Sequence, residues 1–190
     1  TNREGVVFKE VDATYSPGRP NSGGPQLKFK FVESASFIVT GINANHMGTL
    51  DATEIAALGT DVAQLTSTAM AALTSTQVAG MSPEQLGALD SADVAALSNS
   101  VIANLTSAQV AALSAAGFAG LSTDDLGALS IDAVPGITAL HIPTLDAADI
   151  TALGTDIANL GTAAMAALTS EQLAAMTTAQ IAALSSADIA

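Results

Sequence analysis

Leu65-Thr-Ser-Thr-Ala-Met-Ala-Ala72, Leu73-Thr-Ser-Thr-Gln-Val-Ala-Gly80, Met81-Ser-Pro-Glu-Gln-Leu-Gly-Ala88 and Leu89-Asp-Ser-Ala-Asp-Val-Ala-Ala96 are consecutive octapeptides with one consensus, Leu-[Thr/Ser]-x-x-[Gln/Asp]-[Ile/Val/Leu]-Ala-Ala. The register extends in both directions through eighteen units, from Leu50 to Ala190, and is broken only by seven-residue units at Leu58 and Leu153. Repetition on this scale marks a repeat array rather than a conventional core.

Thr or Ser at position 2 followed by Gln or Asp at position 5 has the spacing of a helix N-terminal capping box, in which each residue's side chain satisfies the other's backbone N–H. Position 1 then precedes the cap and position 6 is the fourth helical residue. Both are aliphatic, which is the arrangement of a hydrophobic staple. Pro83 follows Ser82 at the first helical position, where its missing N–H costs nothing. Ala at positions 7 and 8 favours helix and lets backbones approach closely. A continuous helix fails, because an eight-residue period turns the apolar stripe by roughly 80° per unit and smears it around the rod.

The chain therefore turns at each Ser or Thr. The spacing predicts a mainly α solenoid of very short helices, one per octapeptide, with positions 1 and 6 stacked inside; the alternative is a β-solenoid. The predicted core is Leu65, Leu73, Met81, Leu89, Leu97, Leu105, Leu113, Leu121, Leu168, Met176 and Leu184. Helices this short are marginal alone, so stability has to come from stacking between units.

A longer period lies above the octapeptide. Leu50–Met81 matches Leu145–Met176 along its length at an offset of 95 residues, LDATEIAALGTDVAQL against LDAADITALGTDIANL. The chain ends partway through the second copy, as a piece of a longer array would. Within Leu129–Thr144 the pattern loosens, with Pro135, Gly136, His141 and Pro143 in place of consensus residues, and this stretch reads as a decorated coil, a bend or a recognition loop.

Charge divides the chain sharply. All five basic residues precede residue 31, and fourteen of the eighteen acids follow residue 49, so the repeats carry a formal charge of −14 against +1 for residues 1–49. Such a surface repels phosphate, so neither nucleic acid nor an anionic membrane is an expected partner, while a basic protein surface is. Cysteine is absent, which excludes disulfides and thiolate metal sites. No apolar run is long enough for a membrane helix, so no membrane insertion is expected. The two histidines, His46 and His141, have no His or Cys beside them to complete a transition-metal site, and Asp124-Asp125 lacks the glycine-rich calcium nonapeptide and the EF-hand loop. No Ser or Thr has a His base placed beside it. No metal, cofactor or catalytic constellation is expected.

Residues 1–45 read differently. Arg3-Glu-Gly-Val-Val-Phe-Lys9, Tyr15-Ser-Pro-Gly-Arg-Pro20 and Lys28-Phe-Lys-Phe31 resemble the end of the adenylation domain of ATP-dependent DNA ligases, and the apolar stretch 36–43 resembles the first strand of the OB-fold domain that follows it. The resemblance implies that Glu4 and Lys9 lie in a nucleotide pocket and that Lys28 and Lys30 approach the adenylate phosphate. The family's nucleophilic Lys-x-Asp-Gly motif is absent, so no ligase activity is expected. In this chain Val6–Phe8 and Leu27–Val32 are expected to make a hairpin or small sheet capping one end of the solenoid, with 46–49 as junction and 50–190 as array.

The repeats also resemble Ala/Thr/Leu-rich arrays of large bacterial surface or secreted proteins, and a secreted or cell-surface location is favoured over a cytoplasmic one on that basis. The function expected is non-catalytic: a spacer, a scaffold or a self-assembling fibre unit that associates through its solenoid ends. The alternative is an inactive ligase fragment fused to repeats.

Overall fold

The computed structural model describes residues 47–184, together with two short paired strands nearer the N-terminus. Those strands, Thr14–Tyr15 and Leu27–Lys28, run antiparallel with Thr14 opposite Lys28 and Tyr15 opposite Leu27. They belong to a compact unit, Thr1–Ile38, separate from a second unit, Val39–Ala190. The expected strand at Val6–Phe8, the ligase-like residues Glu4, Lys9 and Lys30, the side chain of Lys28, the stretch 36–43 and His46 lie outside the described residues.

The second unit is a solenoid of very short helices, each confined to one repeat. A unit of the regular kind spends positions 1 and 2 in extended backbone: Leu89 has φ −66° and ψ 135°, and the cap Asp90 has φ −93° and ψ −179°. The next six residues, Ser91–Ala96, form one and a half turns of helix. The capping box is complete in nine of the described helices, for example Thr74 with Gln77 and Ser122 with Asp125. No strand occurs among residues 47–184, which sets the β-solenoid aside. Two extended residues per unit are too few to build a ladder, and the reciprocal caps hold the rest helical.

Successive helices turn around a triangle, three units to a coil. The first side stacks Ala52–Ala57, Ser75–Ala79, Asn99–Ile102, Thr123–Ala128, Ala147–Ala152 and Ser170–Ala175. On the second side lie Gly59–Gln64, Pro83–Ala88, Ser107–Ala112, Val134–Gly136, Gly154–Asn159 and Thr178–Ala183. Ser67–Ala71, Ser91–Ala96, Ala115–Phe118 and Ile142–Thr144 stack on the third, with Thr162–Ala166 following in register.

The interior is one continuous column of aliphatic side chains. Position 1 residues from Leu65 through Leu121, with Leu168 and Met176, are buried, and Leu184 is half-buried against the same column. Position 6 supplies the other layer, including Ile55, Val78, Leu86, Val94, Val110, Leu126 and Ile150. Phe118 is the one phenylalanine in it among the described residues.

Both seven-residue units fall on the second side. There the helix from the first side runs through Gly59 or Gly154, at φ 53° and 54°, into a six-residue 3-10 helix. Left-handed backbone is open to Gly and costs other residues roughly 1–2 kcal/mol. The 95-residue interval spans twelve units and hence four coils, so the two copies repeat on the same sides.

The loosened stretch keeps its place in this scheme. Residues 129–144 make the second and third sides of one coil with the 3-10 helices Val134–Gly136 and Ile142–Thr144 in place of α-helices, each carrying Pro in its first turn. Ala133, Val134, Ile137 and Ile142 are buried as consensus residues are, while Ile131 and Leu140 face outward.

Candidate functional site

Wherever position 5 is Gln, its amide does two jobs. The oxygen accepts from the N-cap backbone of its own helix, as Gln77 Oε1 does from Thr74 N at 2.8 Å. The amide nitrogen points the other way and donates to carbonyls of the preceding coil. Gln77 Nε2 reaches Met47 O and Leu50 O, Gln85 Nε2 reaches Ile55 O and Gly59 O, and Gln109 Nε2 reaches Val78 O. The second copy repeats these bonds at an offset of 95, with Gln172 on Ile142 O and Leu145 O and Gln180 on Ile150 O and Gly154 O. All five glutamines are buried.

The acceptors lie at the joints between short helices. The carbonyls of Met47, Ile55, Val78 and Ile142 each also accept a backbone N–H of their own coil, from Leu50, Leu58, Met81 and Leu145. Leu50 and Leu145 stand just before a helix, and Gly59 and Gly154 begin one. A carbonyl has two lone pairs, so each amide adds a bond that stitches two coils, and a hydrogen bond of this kind contributes about 0.5–1.5 kcal/mol. The capping half of this arrangement is legible in the octapeptide; the cross-coil half is not. One signal for it existed. A capping box takes Glu as readily as Gln, yet Gln stands at position 5 in Gln77, Gln85, Gln109, Gln172 and Gln180, and Glu only in Glu54 of the first coil. A demand for an N–H donor explains that choice.

His141 takes the same place on the third side. Its Nε2 lies 2.9 Å from Leu113 O of the preceding coil, its Nδ1 accepts from Thr138 N at 3.1 Å, and its ring stacks on Phe118 with centroids 4.3 Å apart and planes 7° from parallel. Burial holds the imidazole below its ordinary pKa, with the Leu113 carbonyl opposing.

Acidic position 5 residues cap but cannot donate. Asp93 is buried and Asp149 half-buried, and burial raises both carboxyls, the neighbouring carboxylates Asp90 and Asp146 adding to this while their backbone N–H groups oppose it. Asp125 spends Oδ2 on Ser122, and its Oδ1 is buried without a partner. Among the described residues no group of three or more His, Cys, Asp or Glu could hold a metal ion, and no helix is long and apolar enough to cross a membrane.

Residues 86–123 and 155–186 match the family described as the ALTTAQ repeat, and both segments lie inside the array, consistent with an Ala/Thr-rich repeat protein. Comparison with curated proteins and with solved structures finds no match.

Proposed function

We propose that this chain is a non-catalytic structural or protein-interaction array, a spacer or scaffold whose coils also suit it to be a self-assembling fibre unit. The observation that supports this reading is the use made of its buried polar side chains. The glutamines and His141 are committed to capping one helix and tying it to the coil before. An array of this kind gains stability coil by coil and presents a long repetitive surface.

That surface carries the carboxylates and no Lys or Arg between residues 50 and 190, which favours a basic protein surface as partner and disfavours nucleic acid. A secreted or cell-surface setting fits the same reading, through the likeness to Ala/Thr-rich arrays.

Negative-stain electron microscopy across a range of protein concentrations, with sedimentation on the same samples, tests it. Separate short rods at every concentration support a spacer or scaffold, and fibres that lengthen with concentration support assembly through the ends. Incubation with labelled ATP is the opposing arm. Covalent adenylylation of the chain would replace this reading with that of a ligase fragment.

A further inference from the structure

We propose that His141 is an acid-sensitive joint in the array: taking up a proton on Nδ1 removes the acceptor that holds Thr138 N–H and loosens the unit built from residues 137–144. The geometry defines the protonation state on which this unit is built. A carbonyl only accepts, so Nε2, 2.9 Å from Leu113 O, carries a hydrogen. A backbone N–H only donates, so Nδ1, 3.1 Å from Thr138 N, carries a lone pair. Both contacts are made only by the neutral ring with its hydrogen on Nε2. Gln fills the same position on the other sides with the same two bonds, and its amide does not titrate.

The surroundings offer an imidazolium little. Ala115–Phe118, packed against this turn, brings the face of Phe118 and no ionisable group, and Thr162–Ala166, next in register on that side, has none either. Within 137–144 His141 is the sole titratable residue, and the nearest acids along the chain are Asp132 and Asp146. Asp146 is engaged with the backbone N–H groups of Ala148 and Asp149. The Leu113 carbonyl, which accepts from Nε2, and the ring face of Phe118 are the features that favour the cation.

Burial sets the direction, holding the folded imidazole below its ordinary value. A group whose folded pKa is depressed by loss of its cationic form stabilises the fold fully above the unfolded value, about 6.5 for His. That contribution is lost as pH falls from there through the lower folded value. The joint precedes Leu145, where the second 95-residue copy begins, so acid would loosen the boundary between two blocks of coils. This holds whatever the array carries, so it stands or falls separately from the proposed function.

Hydrogen exchange of the full chain, corrected for intrinsic rates, is measured at about pH 7.5 and about pH 5. Protection over 113–145 is expected to fall about tenfold more than in the flanking coils, and His141→Gln is expected to keep neutral-pH protection and abolish that difference. An equal local loss in His141→Gln, or no local loss in the wild-type chain, overturns the proposal. Should His141→Gln fold poorly, ¹⁵N shifts of the imidazole in a His46→Gln background decide. A ring with its hydrogen on Nε2 that titrates together with the local loss of protection supports the joint. A ring that titrates like a free histidine, or one still neutral when protection is lost, removes it.

Discussion

Gln85 crosses from its own coil to donate its amide N–H to the carbonyl of Ile55, 2.9 Å away and four repeat units earlier. Its oxygen meanwhile accepts from Ser82 N at 3.1 Å. Gln85→Glu retains the second bond and replaces the first with a carboxylate facing the carbonyls of Ile55 and Gly59. Urea unfolding is expected to show a loss of about 2 kcal/mol or more at neutral pH, the cost of two lost hydrogen bonds and of a buried carboxylate set against carbonyls. A Gln85→Glu variant as stable as wild type would mean that the cross-coil bond contributes nothing.

The converse substitution should stabilise. Asp125 occupies the rung position with a partnerless buried oxygen, and the register of Gln109 on Val78 makes Val94 O the corresponding acceptor for a longer side chain there. Asp125→Gln keeps the acceptor for Ser122 and supplies a donor, so stability is expected to rise by about 1 kcal/mol, read as an increased urea midpoint at unchanged m.

Asp93 and Asp149 carry the opposite pH signature to His141. Burial raises both carboxyls, so each contributes most when protonated, below the ordinary carboxylate value of about 3.9, and that contribution is lost as pH rises through the raised folded value. Asn keeps an acceptor for the Asp90 or Asp146 backbone N–H and removes the charge. Asp93→Asn/Asp149→Asn is therefore expected to raise Tm at about pH 7 and to lose that advantage near the ordinary carboxylate value, about pH 4. A constant offset at both pH values would count against burial as the cause.

Two glycines should respond oppositely to an added side chain. A Cβ on Gly120 would lie 2.2 Å from Ser91 O and 2.9 Å from Ser91 Cα, backbone that cannot move aside without separating two coils. Gly120→Ala is expected to cost about 3 kcal/mol by overpacking. Gly161, in contrast, has nothing within 4 Å of such a Cβ and begins Thr162–Ala166 without a side-chain cap. Gly161→Ser supplies the missing hydroxyl and should add a few tenths of a kcal/mol. Thermal denaturation of the two variants side by side checks both signs.

Much of the local structure was legible because eight residues contain all of its causes. Ser122 and Asp125 are three apart and cap one helix; Leu121 and Leu126 flank them and point inward; no distant residue is needed to define either relationship. His141 was harder to read. Beside Pro143 and within a broken consensus it looked like decoration, and its equivalence to Gln emerges only when Leu113 O lies on one ring nitrogen and Thr138 N on the other.

The sequence by itself determined the helical unit, its caps and which aliphatics face inward, since these depend on backbone propensity and hydrogen bonds spanning three or four residues. How many units make a coil was decided only in three dimensions. The octapeptides are too alike to label their own side, and a 95-residue repeat of twelve units is compatible with two, three, four or six units per coil. The choice of three follows from the angle at which Leu and Thr in extended backbone join one helix to the next. It is held by contacts about 24 residues apart and by amide bonds spanning 26 to 31, pairings no local pattern encodes.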